Sequence, residues 1–220
     1  MNRSCAGMVL AVLMLAMPVT LVGQDLDEFD YENLSFRGFM LEGGYLWANN
    51  AENTSGVAVR FDLGYLAPGF RLVPGVSYWS SELDRGEVVG LEARLNDLVV
   101  EQGGVGSLSL GTIERKDLAI TLDGSFVWSV PFGLTSFAGA GVSAHFLDGS
   151  GPTIDDTFIE DLLDSVQAGV NVHVGLEYPL HERVRIYGSP KFELLDDLRY
   201  LEFRFGAHIL WGGLAPGERK

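Results

Sequence analysis

Cysteine is all but missing from this 220-residue chain: there is one, Cys5, near the N-terminus. An exported domain stapled by disulfides would carry several, so stability has to come from packing and hydrogen bonding. Lysine is scarce too, at Lys116, Lys191 and Lys220, and no basic run occurs anywhere. Fifteen basic against 30 acidic residues give a formal charge of −15. That balance offers no electrostatic footprint for nucleic acid, which is excluded as a partner. Past the N-terminus no apolar run reaches the roughly 20 residues a membrane-spanning helix needs. What the chain does have is 47% hydrophobic residues, too many for a disordered polymer. It also has 28 glycines, without the period of collagen.

Residues 1–23 have the form of a signal peptide. Arg3 is the positive start, Met8 to Ala16 the apolar stretch, Pro18 a breaker, and Gly23 marks a small-residue cleavage region. Its removal takes Cys5 with it. Residues 24–35 follow as an acidic tail carrying Asp25, Asp27, Glu28, Asp30 and Glu32. From there to residue 211 the pattern is period-2 alternation, the signature of strands with two unlike faces. Eight such segments can be read. They are Phe39 to Trp47, Val57 to Tyr65, Phe70 to Tyr78, Leu118 to Trp128, Leu134 to Phe146, Gln167 to Tyr178, Val184 to Glu193 and Leu201 to Trp211. The sixth is the cleanest: Ala168, Val170, Val172, Val174, Leu176 and Tyr178 alternate with Gly169, Asn171, His173, Gly175 and Glu177.

The links alternate as well. Those after the second, fourth and sixth strands are short and contain Pro68, Pro131 and Pro179. Those after the first, third and fifth are longer and polar or helix-like, with only the link near Asp196 and Asp197 shorter than that rule. An even number of strands with short turns at one end and long loops at the other is the plan of a transmembrane barrel. The expected fold is therefore all-β: an eight-stranded antiparallel up-and-down transmembrane barrel with short helices in its external loops.

In such a barrel the apolar face meets lipid and the polar face fills the lumen, the inverse of a soluble lipocalin-like barrel. Glycines at 44, 64, 75, 139, 169, 175 and 206 fall on the polar face, where eight strands leave little room. Aromatic residues fall at the ends of the apolar face, as expected of rings anchored at a bilayer interface. Tyr45, Trp47 and Tyr78 mark the outer rim, and Tyr65, Trp128, Tyr178 and Trp211 the inner.

On these features residues 36–211 resemble bacterial outer-membrane β-barrels of the small OmpA/OmpX type. The most specific element is the last strand, where Arg204, Gly206, Ile209 and Trp211 match the spacing of the family's C-terminal assembly signal. The family ends on the final aromatic, whereas here residues 212–220 follow as a periplasmic tail. The resemblance implies residence in the outer membrane. It also implies contact with membrane lipid and lipopolysaccharide, and handling by periplasmic chaperones and the barrel-assembly machinery. A monomer with no cofactor and no metal is expected.

The polar face places Arg60, Asp62, Arg71, Asp123, Arg185, Lys191, Glu193, Glu202 and Arg204 in the lumen. Buried charges persist only when paired, so these nine are expected to form an ion-pair network that plugs the barrel. Arg60, Asp62, Glu202 and Arg204 should share one part of it, because closure makes the first strand the neighbour of both the second and the eighth. The expected role is structural or accessory in the envelope, and a narrow porin-like conduit for small solutes is the alternative. The third reading is a lipid A-modifying acyl hydrolase or transferase, with Ser143 and His145 the nearest approach to nucleophile and base, or else a soluble lipocalin-like binder. His145, His173 and His208 lie on different strands at different depths and lack metal-ligand spacing. Helical spacing appears in Val88, Leu91, Leu95, Leu98 and Val99, and again in Ile154, Phe158, Leu162 and Leu163, as lids over the outer mouth. The acidic group Asp155, Asp156, Glu160, Asp161 and Asp164 reads as a solvated face.

Overall fold

The structure, a computed structural model, describes residues 34–101, 103, 109–154, 163–196 and 198–211. The expected signal peptide, nearly all of the acidic tail, Phe158 and Leu162 of the second helical segment, and the C-terminal tail lie outside the described residues.

Eight strands follow in chain order. They are β1 (Leu34–Ala48), β2 (Thr54–Ala67), β3 (Phe70–Glu82), β4 (Glu114–Val130), β5 (Leu134–Ser150), β6 (Ser165–His181), β7 (Val184–Leu194) and β8 (Arg199–Leu210). Among the described residues an α-helix, α1 (Arg85–Glu101), stands between β3 and β4, and a 3-10 turn (Pro131–Gly133) joins β4 to β5. Each strand pairs antiparallel with the next, and β1 pairs with β8 from Gly38↔Leu210 to Ala48↔Tyr200, closing the barrel. Closure gives the strand backbones partners on both sides and leaves no open edge.

The strands run further than the alternation alone suggests. β4 begins at Glu114, because Glu114, Arg115 and Lys116 continue the ladder opposite Glu82, Ser81 and Ser80 of β3. Backbone pairing does not require an apolar side chain, so the ladder outlasts the apolar face. One end of the barrel carries the short turns at 68–69, 131–133 and 182–183, together with the start of β1 and the end of β8. The other carries the links 49–53, 83–113, 151–164 and 195–198. Gly69 (φ +74°) and Phe132 (φ +68°) supply the left-handed residues of two of the short turns.

Polarity is inverted relative to a soluble domain. Leu41, Val57, Val76, Ile120, Val142, Val172, Phe192 and Phe203 face outward and are exposed, while charged residues of β1–β4 and β6–β8, with Ser136, Ser143 and His145 of β5, are buried within. The lumen is not wholly polar, however. At its long-link end Leu46, Ala51, Trp79, Leu147, Leu195, Leu198 and Tyr200 form an apolar cluster across the mouth. Outside that cluster a second one joins Val88 and Leu95 of α1 to Leu110, Ile113 and Ile154, with Leu83, Leu91 and Leu163 packed against it. α1 thus lies where the first helical segment was expected, but on a narrower seam, with Leu98 exposed. Ile154 is fully buried, yet it sits in a turn rather than a helix.

One outward residue of the sequence pattern is misplaced. β2 shifts register between Arg60 and Tyr65, with Gly64 at φ +81°, so Tyr65 comes to lie opposite Arg71. Opposed residues share a face, and Arg71 points into the lumen. Tyr65 therefore leaves the outward row, and the Arg37 guanidinium stacks 4.9 Å from its ring centre. A bulge of this kind reverses facing without altering the sequence alternation.

Candidate functional site

The lumen holds seven buried carboxylates and five buried Lys or Arg side chains among the described residues. All nine residues named from the sequence are among them, together with Glu42, Asp117 and Glu177. Eight of the nine stand in a pair between a carboxylate and a Lys or Arg, and Asp62 faces His208. They fall into three groups along the barrel.

At the short-turn end Glu177 of β6 is the centre. Arg71 Nη2 donates to its Oε1 at 2.6 Å, and Arg185 Nη1 lies 3.4 Å from its Oε2. His208 Nδ1 is 3.9 Å from the same Oε2, and its Nε2 is 3.2 Å from Asp62 Oδ2. In the middle, Glu42 of β1 takes Arg60 Nε at 3.3 Å and Arg204 Nε at 3.5 Å. Arg60 also pairs with Asp123, whose other oxygen accepts from Asn171 Nδ2 at 3.0 Å. His173 joins this group through Asn171 and through Ser125 Oγ, 2.8 Å from its Nε2.

Beneath the apolar cluster lies the third group. Lys191 Nζ is 2.8 Å from Glu193 and 3.5 Å from Glu202. Ser143 donates its hydroxyl to Glu193 Oε1 at 2.6 Å. His145 Nε2 is 2.9 Å from the same hydroxyl oxygen, and its Nδ1 is 2.8 Å from Asp117 Oδ2. Asp117, His145 and Ser143 thus have the spacing of an acid–base–nucleophile array. Two features separate this array from a working one. The serine proton is directed to Glu193, away from the imidazole that would have to accept it. Both Asp117 and His145 are 0% exposed, with the apolar cluster closing the mouth above them.

The expected quartet is arranged differently from its sequence reading. Arg60 and Arg204 are joined through Glu42, while Asp62 goes to His208 and Glu202 to Lys191. Glu42 sits opposite Ala58 of β2 and Gly206 of β8, so β1 brings a carboxylate of its own between the two cations. Glu42 and Glu177 are legible as polar-face residues, and each needs only to be counted with the charges around it.

Small residues make the crowding possible. A Cβ on Gly141 would overlap the Asp123 carboxylate, and one on Gly44 would overlap Glu202. Outside, Tyr45, Trp47 and Tyr78 are exposed at the long-link end of the wall, with the Tyr45 and Trp47 rings edge-on at 4.8 Å. Trp128, Tyr178 and Trp211 mark the other end, Trp128 being half-buried. Of the four assembly-signal residues, Arg204 points inward to Glu42, Gly206 lies close against the β1 backbone, and Ile209 and Trp211 face outward.

No protein-family model matches the sequence, and no curated protein is similar to it at a significant level. Among solved structures the chain is similar to Neisserial surface protein A, at 12% identity and a TM-score of 0.50, over 80% of this chain and 97% of that one. It is also similar to a major outer membrane protein from Thermus thermophilus, at 16% identity and a TM-score of 0.51, over 80% and 99% of the two chains. At these identities the likeness is one of fold: a small, closed, eight-stranded outer-membrane β-barrel.

Proposed function

We propose that this chain is an integral protein of the bacterial outer membrane with a structural or accessory role in the envelope, its lumen plugged by ion pairs. One observation carries this reading: the wall is apolar outward on all eight strands while twelve ionisable Asp, Glu, Lys and Arg side chains are buried within. In water that arrangement would expose the apolar wall and confine the charges; in a bilayer it is the favourable one. The three charge groups follow one another along the lumen beneath the apolar cluster, an arrangement that favours a plug over a conduit. The closed mouth and the Ser143–Glu193 hydrogen bond support a non-enzymatic role over lipid A modification.

Short turns at one end then face the periplasm, and α1 with its apolar seam stands on the outer side, toward lipopolysaccharide. Arg204, Gly206, Ile209 and Trp211 act in assembly, presented to chaperones and the assembly machinery before the barrel closes. The folded protein is a monomer. Planar bilayer recording tests the plug. Reconstituted protein should give no discrete conductance steps, whereas steady steps that scale with protein added would establish a conduit. Unchanged lipid A mass spectra on expression are expected, and loss or gain of an acyl chain would restore the enzyme reading.

A further inference from the structure

Near the short-turn end the outer wall is not smooth. Outward residues of β6, β7 and β8 stand in rows across the sheet: Leu176, Gly188 and Phe205, then Tyr178, Ile186 and Ala207. Gly188 and Ala207 are the small members of these rows. They floor an apolar groove of about 500 Å³, walled by the larger four and closed toward β5 by Leu134. Volumes of about 300–1,000 Å³ are those of small-molecule sites. The backbone does not demand glycine here. Gly188 has no left-handed φ, and a Cβ on it would meet nothing nearer than Phe203 Cζ at 3.6 Å. The notch is therefore open space in the lipid-facing wall rather than a packing requirement behind it.

The chemistry at the foot of the groove identifies an occupant. His181, three residues beyond Tyr178, ends β6, and Glu182 and Arg183 form the turn that follows, all three exposed. At about 3.3 Å per residue they stand ~10 Å below the groove. Two cationic or cation-capable side chains flanking one carboxylate match a headgroup that carries a phosphate beside an ammonium. We propose that the groove holds one acyl chain of a zwitterionic glycerophospholipid of the periplasmic leaflet. Its phosphate meets Arg183 and His181, and its ammonium meets Glu182. This rests on the membrane reading above.

The test is photolabelling of protein refolded into vesicles of phosphatidylethanolamine and phosphatidylglycerol, with a trace of phosphatidylethanolamine bearing an acyl-chain diazirine. Peptide mass spectrometry should find several-fold more label at 176–178, 186–188 and 205–207 than on the opposite wall at Val59, Phe61 and Leu72. Gly188→Leu, which the backbone can accept, should abolish that excess without changing the rest. A diacylglycerol carrying the same diazirine chain should label the groove several-fold less. Even labelling around the barrel, or an excess that survives Gly188→Leu, would overturn the groove and leave the membrane barrel standing. Equal labelling by diacylglycerol would overturn the headgroup contact, and protein–protein crosslinks through these residues would hand the groove to a second copy. Protein that stays off the vesicles and takes no label would overturn the membrane reading itself.

Discussion

Arg71 on β3 and Glu177 on β6 meet at 2.6 Å across the lumen, although 106 residues separate them in the chain. Glu177 also faces Arg185 and His208, so one carboxylate serves three groups from three other strands. Removing it leaves two guanidinium groups buried with less compensation. Glu177→Leu should therefore destabilise the barrel by about 3–5 kcal/mol, the cost of breaking a buried pair from one side. Adding Arg71→Met should recover part of the loss. The urea midpoint of folding in lipid reports both, and an unmoved midpoint for the single variant would remove Glu177 from the centre of the group.

Depth in the bilayer gives a second expectation. Val172 is exposed at mid-β6, and Tyr178 lies on the same face six residues nearer the short turns. Val172→Arg should disfavour folding into lipid by about 2–4 kcal/mol, and Tyr178→Arg by about 0–1 kcal/mol on charge grounds. A Tyr178→Ala control measures the separate loss of the ring. Equal charge penalties at the two sites would contradict the placement of the membrane.

The seam that closes the barrel supplies a third. A Cβ on Gly206 would run into the backbone carbonyl of Leu41, whereas one on Gly43 would stand 3.7 Å from the nearest atom, Phe205 Cζ. Gly206→Ala must part β1 from β8 and should cost about 1–3 kcal/mol, as overpacking does. Gly43→Ala should be close to neutral. Refolding yield in purified lipid reads this without the assembly machinery, and like yields for the two variants would refute it.

The four tryptophans should divide in a fluorescence experiment. Trp79 is buried in the apolar cluster, 6.1 Å from the Tyr200 ring, while Trp47 and Trp211 are exposed on the wall. Brominated lipid should quench a variant retaining Trp47 alone and spare one retaining Trp79 alone. Quenching of Trp79 to the same extent would mean that it faces lipid and that the mouth is not capped.

Much of this is readable from the residues, for a physical reason. A barrel wall is one residue thick, so alternation states directly which side chains face lipid, and link lengths state which end is which. Three features escape that logic. The Gly64 bulge turns Tyr65 inward because register depends on φ at a single glycine, which alternation does not record. The partner of Arg60 and Arg204 is Glu42, because closure places β1 between their strands. The apolar cluster is masked because Leu46, Trp79 and Leu147 each follow an outward aromatic, at Tyr45, Tyr78 and Phe146. Consecutive apolar residues at one end of three strands are the signal that both faces are apolar there, and hence that the mouth is covered.

The central claim is that this barrel is built for a membrane, apolar outside and charged within. Its most direct test is fractionation of cells making the full-length protein, followed by a gel of the carbonate-washed membrane pellet with and without boiling. The protein should stay in the pellet, and the unboiled band should migrate apart from the boiled one, as a folded barrel that resists detergent. Protein recovered in the soluble fraction, with a mobility indifferent to heat, would contradict the account.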